Sequence, residues 1–286
     1  MKKEDVLVIV RTTEERTAQE CKIRLIDKFG SDNVIEIANV TPFSEAIKEA
    51  YKTALIYNRK WTLIVDGDVF FFDNIDRFIE ACDEHSSNTG KGFVYNALVY
   101  DKFMMQYRIG GGHLYRTIHL RKAMKFVDKS KIQLRPETFV KREMAKRGYP
   151  CYYTEYKIGI HDFCQYPHDI FRKGILHAKK HGGIDDLIKE WEKLKEMDED
   201  FAWICKGVEV SHTIDEVIVD KKFFEKYYGD IECKDINTDT VSEIIQEMLK
   251  KYYVFESDIV FKPVWKRQDL YILDIEDRLK KVFHKA

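Results

Sequence analysis

The sequence predicts an α/β fold, a mixed, mainly parallel sheet of Rossmann-like type flanked by helices, with a mainly helical C-terminal appendage. Three observations predict it. Val6-Leu7-Val8-Ile9-Val10 is an unbroken, largely β-branched run, the pattern of a strand buried on both faces. Segments of helical periodicity alternate with such runs as far as Asp66, the order of a parallel, right-handed sheet. Beyond about residue 184 the periodicity turns almost wholly helical.

The first strand closes at Arg11-Thr12-Thr13, and a helix is expected from there to Phe29, with Gly30 suited to its C-cap. Val34 to Ile37 reads as a second strand. Thr41 is the expected N-cap and Pro42 the first residue of a second helix. Its apolar set, Phe43, Ala46, Ile47, Ala50, Tyr51, Ala54 and Leu55, keeps helical spacing. Trp61-Thr62-Leu63-Ile64-Val65 is the third strand, ending at Asp66. Further strands are expected at 93–100 and 150–156. Between them lie Gly110-Gly111-Gly112 and helices from about His119 to Val127 and from Pro136 to Arg147. In the appendage, 185–197 looks helical. Val241, Ile244, Ile245, Met248, Leu249 and Tyr252 mark a clear amphipathic helix, and Leu270, Leu273 and Leu279 suggest a last one. There is no internal repeat, low-complexity tract or Pro/Gly-rich linker. The expected division is therefore residues 1–184 as an α/β domain and 185–286 as an extension packed on it.

Composition bounds the function. Apolar residues make up 44% of the 286, enough for a proper core. Lys and Arg total 48 against 49 Asp and Glu, a net charge of −1, which argues against a dedicated nucleic-acid binder. The six cysteines are scattered without a C-x-x-C pair, as expected of reduced, mostly buried thiols. The apolar stretch at 6–10 is too short for a signal-peptide core, and no 18-residue apolar run exists. The expected location is cytoplasmic, with at most peripheral membrane contact.

Asp66-Gly67-Asp68 stands at the carboxyl end of the third strand, where open α/β sheets bind ligands. Two carboxylates flanking a glycine suit a hard cation such as Mn²⁺ or Mg²⁺. Such an ion can bridge the phosphates of a nucleoside diphosphate. The same triplet also suits a plain turn. His161, after a predicted strand, is either a further ligand or a capping histidine at the core edge. Lys173, His177 and Lys180 share one face of a predicted helix and can meet a diphosphate or an anionic acceptor, or else face solvent.

The segments Val6–Arg11, Phe43–Tyr57 and Trp61–Val69, with the acidic pair inside the last, resemble GT-A glycosyltransferases of the broad family 2-like group over roughly residues 5–181. The resemblance implies a sugar transferred from a nucleotide-diphosphate donor, UDP-sugar by family prevalence, to a glycan or lipid-linked acceptor. It implies an inverting outcome, and surface polysaccharide is a fitting destination. Asp66 then meets the ribose or the metal and Asp68 the metal. Arg11 and Thr12 line the nucleotide pocket, and His161 resembles the late metal ligand. The common second-strand aspartate is missing, since Ile37-Ala38-Asn39 fills that region. Gly110-Gly111-Gly112 resembles the acceptor loop. Glu137 matches the place of the general base, with Asp162 as the second choice.

Three other functions compete. A haloacid-dehalogenase-type phosphatase needs a threonine where Phe70 stands. A sugar-nucleotide nucleotidyltransferase needs a glycine-rich loop where Arg11 to Arg16 carry none. A non-catalytic nucleotide-sugar-binding protein would not need Asp66, Asp68 and His161 intact.

Overall fold

A computed structural model describes residues 3–180, 184–255 and 258–264. The helix suggested by Leu270, Leu273 and Leu279 lies outside the described residues, as does His181. The strand–helix alternation is as expected at first: β1 (Val6–Thr12), α1 (Ala18–Phe29), β2 (Val34–Ala38), α2 (Phe43–Tyr57) and β3 (Trp61–Asp66). Then come β4 (Val69–Phe71), α3 (Ile75–Thr89), β5 (Val94–Asp101), β6 (Gln106–Arg108), β7 (Gly112–Arg116) and α4 (Thr117–Val127). α5 (Pro136–Ala145), β8 (Cys151–His161) and α6 (Pro167–Lys180) complete the first part. The rest contributes α7 (Asp185–Leu194), α8 (Glu199–Ser211), α9 (Lys221–Glu225), α10 (Thr238–Tyr252) and β9 (Lys262–Val264).

Among the described residues, nine strands form one mixed sheet in the order β2-β1-β3-β7-β5-β8-β4, with β6 on β5 and β9 on β8. It is less parallel than expected. Among the described residues, only the ladders β1–β2, β1–β3 and β5–β8 are parallel. The other five are antiparallel. The reason is local: Gly112 enters β7 instead of staying in a loop, and β4, β6 and β9 are three-residue strands, too short to show a period. Helix α3 escaped the sequence analysis although Ile75, Phe78, Ile79 and Cys82 form its buried stripe. Pro42, not Thr41, sits at the N-cap of α2, which starts at Phe43. Gly30 caps α1, donating its amide to the Ile26 carbonyl at φ 89°.

The double burial of β1 is visible in its alternation. Val6, Val8 and Val10 enter one core with α1, α3 and α10, while Leu7 and Ile9 enter another with α2, α4 and α5. Val241, Ile245 and Leu249 of α10 belong to the first core and Val264 of β9 to the second, so the C-terminal segment shares both. Among the described residues, no helix is long and apolar enough to cross a membrane.

Helix α6 is set by its crossing with α8. A Cβ on Gly174 would stand 2.2 Å from the Ile204 carbonyl oxygen, and one on Gly207 would stand 2.1 Å from that of Phe171. Backbone therefore touches backbone, and the cluster of Ile170, Trp191, Ile204 and Val208 closes around the contact. Gly207→Ala gains about 1 kcal/mol of helix propensity. The added methyl can be accommodated only by parting two helices, an overpacking cost of about 3 kcal/mol. A fall in Tm of about 5 °C is expected by thermal melting. A higher Tm would show that the crossing yields freely.

Candidate active site

The parallel register of β1 and β3 places Arg11 beside Asp66 at the carboxyl ends of both strands. Arg11 Nη2 and Nε donate to Asp66 Oδ1 at 2.7 and 3.0 Å. The turn that follows is pinned by its backbone: the Gly67 amide donates to the Arg11 carbonyl at 2.9 Å and the Asp66 amide to that of Gly111 at 2.8 Å. Space for a side chain at Gly111 is absent, since a Cβ would lie 2.2 Å from Val69 Cγ2 and 3.3 Å from the His161 ring, at φ +63°. The glycines at 110–112 thus press on the site and start a strand. A cleft of about 700 Å³ opens here, with Arg11, Thr12, Phe43, Asp68, His161 and Lys173 among its walls.

Asp68, His161 and Asp162 come together on one side. Ladder pairing sets His161 beside Val69 of β4 and Asp101 of β5, at the end of β8. His161 Nε2 lies 3.4 Å from Asp68 Oδ1, and its Nδ1 lies 3.2 Å from Asp101 Oδ2 and 3.4 Å from Asp162 Oδ2. Lys173 from α6 donates to Asp68 Oδ2 at 2.6 Å and to Asp162 Oδ1. One ligand atom from each of Asp68, His161 and Asp162 falls within 4.8 Å of the others, so these three can hold a cation. Two carboxylates and an imidazole suit Mn²⁺ or Mg²⁺. Asp101 then stands as the carboxylate that orients the ring from its far nitrogen. Asp162 has φ 70°, a left-handed conformation that a non-glycine residue rarely adopts outside constrained sites.

The electrostatics divide these carboxylates. Burial works against the Asp68 charge, yet Lys173 and His161 outweigh it and hold its pKa well below the usual range. For Asp162 burial prevails over His161 and Lys173, helped by Asp101 and Asp68, and its pKa is pushed up to about 6. Burial opposes the charge of His161 too, but Asp162 and Asp68 raise its pKa well above the ordinary value.

Glu137 occupies the opposite side. Its Oε1 accepts from Arg11 Nη1 at 3.2 Å and from the Tyr115 hydroxyl at 3.1 Å. Its Oε2 faces His113 Nε2 at 3.3 Å and Lys141 Nζ at 3.7 Å. Burial would raise its pKa, but Lys141, Arg11 and His113 hold it well below the usual value. A carboxylate so held is a weak proton acceptor.

Most predicted site residues therefore meet in one cleft, but not in the expected groupings. Asp66 faces Arg11 and lies outside the three-residue cation cluster. Asp162, expected at most as a base, joins that cluster. Lys173 points at the carboxylates and not at solvent. Thr12 lines the cleft while donating its hydroxyl to Glu36 at 2.8 Å. Sequence reasoning missed Asp101, which is fully buried and ion-paired with Arg108 at 2.7 Å. Its only signal was a carboxylate closing an apolar strand.

Glu137→Gln keeps the shape but leaves Arg11 and Lys141 without their shared charge. Removing one partner of a buried ion pair costs about 3 kcal/mol, so a Tm fall on the order of 10 °C is expected near neutral pH. Because the folded-state pKa is depressed, this stabilisation is present above the unfolded value of about 4.3 and fades as pH falls through the folded one. The Tm difference between wild type and variant should shrink as the buffer drops below about pH 4. A gap independent of pH would detach the network from the ionisation of Glu137.

No protein-family model matches this sequence, and no curated protein matches it either. Among solved structures, the chain is similar to A197 from STIV, at 12% identity and a TM-score of 0.32, over 41% of this chain and 68% of that one. At that level the likeness carries nothing about fold or chemistry.

Proposed function

We propose that the protein is a metal-dependent glycosyltransferase of the GT-A type that uses a nucleotide-sugar donor, with UDP-sugar the first choice. The observation that carries this reading is the meeting of Asp68, in the turn between β3 and β4, with His161 at the end of β8 and Asp162 just past it, inside a cleft also lined by Arg11 and Thr12. An α/β sheet with its ligand groups at strand ends is the architecture that the sequence resemblance implies.

In this reading Asp68, His161 and Asp162 hold Mn²⁺ or Mg²⁺, which when bound neutralises charge on the departing diphosphate. Lys173 adds a fixed positive charge beside the same carboxylates. Arg11, clamped by Asp66 and Glu137, brings a second one to the nucleotide side. Ile37, Val40 and Phe43 line an apolar slot next to Thr12, suited to a nucleoside. The acceptor oxygen bonds to the anomeric carbon as the bond to diphosphate oxygen breaks, and the hydroxyl proton passes to a carboxylate. Glu137, the base that the resemblance implies, is suppressed by its three cations. Asp162, where it is not engaged by the cation, has the higher proton affinity.

Asp68→Ala is expected to abolish Mn²⁺-dependent UDP binding in calorimetry and to lower the Tm as well, because it leaves Lys173 and His161 without a buried partner. Equal affinities in wild type and variant would sink the proposal.

Asp162→Asn sorts ligand from base. As a ligand, its loss should weaken Mn²⁺ binding by roughly 10- to 100-fold, measured by titration of the metal alone. Normal Mn²⁺ affinity beside a fall in kcat of roughly 10²- to 10⁴-fold would move Asp162 from ligand to base.

A further inference from the structure

The cleft carries more positive charge than the chain as a whole. Ten of its lining residues are lysine or arginine and seven are aspartate or glutamate, while the net charge of the protein is −1. Four of these basic side chains lie within electrostatic reach of one another on the cleft wall: Arg108 of β6, Arg135 at the N-cap of α5, and Arg172 and Lys180 of α6. Arg135 Nη2 donates to the Lys180 main-chain carbonyl at 3.2 Å, tying the start of α5 to the end of α6. Asp101 pairs with Arg108 at 2.7 Å and Asp169 with Arg172 at 2.9 Å. Burial first, and then the charges of Arg135, Arg172 and Arg108, push the Lys180 ammonium down to about 8.

The donor does not account for this wall. The two ionised phosphates of a nucleotide-sugar and one divalent ion cancel in charge, and Lys173 and Arg11 already stand beside that position. A crowd of guanidinium and ammonium groups in a cleft is stabilised by an anion that bonds to several of them. We infer that Arg108, Arg135, Arg172 and Lys180 form a second anion subsite, which takes a phosphate or carboxylate carried by the acceptor. The assignment to the acceptor rests on the transferase reading, whereas the subsite itself rests on the wall.

The test is calorimetric titration of methyl phosphate into the full chain saturated with UDP and Mg²⁺. Methyl phosphate should bind beside the nucleotide. Arg135→Gln and Lys180→Gln should each weaken it about tenfold or more, the worth of a charge-assisted hydrogen bond, with UDP affinity unchanged. Acetate in place of methyl phosphate separates the sources: tighter methyl phosphate binding assigns a phosphate, tighter acetate binding a carboxylate. Displacement of UDP by methyl phosphate would give the wall to the donor and overturn the inference, as would affinities equal in wild type and both variants. Failure of UDP to bind, with methyl phosphate still sensitive to Arg135 and Lys180, would sink the transferase reading and leave the anion subsite standing.

Discussion

Compensation of buried charge is the constraint on which the cleft depends. Arg11 ends a strand buried on both faces, and its guanidinium is only 5% exposed. A cation in that place is tolerable only with carboxylates in contact. Asp66 supplies one because parallel pairing of β1 and β3 sets the two residues side by side. Glu137 supplies the other from the first turn of α5 and thereby fixes that helix to the sheet. The same need recurs across the floor, where Lys173 joins Asp68 to Asp162 and Arg108 covers Asp101. The floor is therefore a chain of ion pairs, and loss of one member disturbs its neighbours more than its own contact suggests.

This constraint separates residues by role. A carboxylate with several cations around it, such as Glu137, holds structure and has little appetite for a proton. One for which burial prevails, with carboxylates adding to it, such as Asp162, keeps its proton to a higher pH and is available for ligation or proton transfer. Their positions in the chain gave no hint of this difference. It arises because β8 ends beside β4 and β5, bringing Asp68, Asp101 and Asp162 around one histidine.

What was legible in the sequence follows the same division. The strands β1, β2 and β3 and the helices α1, α2, α4 and α5 announced themselves through long apolar periods that tertiary contacts reinforce. The acidic pair was legible as a strand-end motif, and His161 as a late partner. Partners set by register were not legible. Nothing local says that Arg11 clamps Asp66, or that Asp101 stands behind His161, since those contacts span 55 and 60 residues. The short strands failed for another reason: three residues cannot show a period, and β7 begins with the glycine that suggested a loop.

The glycine crossing of α6 and α8 links packing to charge. With Gly174 and Gly207 in backbone contact, one face of α6 is committed to α8. Lys173, His177 and Lys180, spaced by four and three residues, stand on a common face and line the cleft. Two small residues thus decide where a basic stripe points. The near-neutral total charge concealed this arrangement, because other helices return acidic groups that balance it, as α7 does with Asp185, Asp186, Glu190 and Glu192 against Lys189 and Lys193. Segregation of charge, not its sum, is the quantity that bears on what this cleft binds.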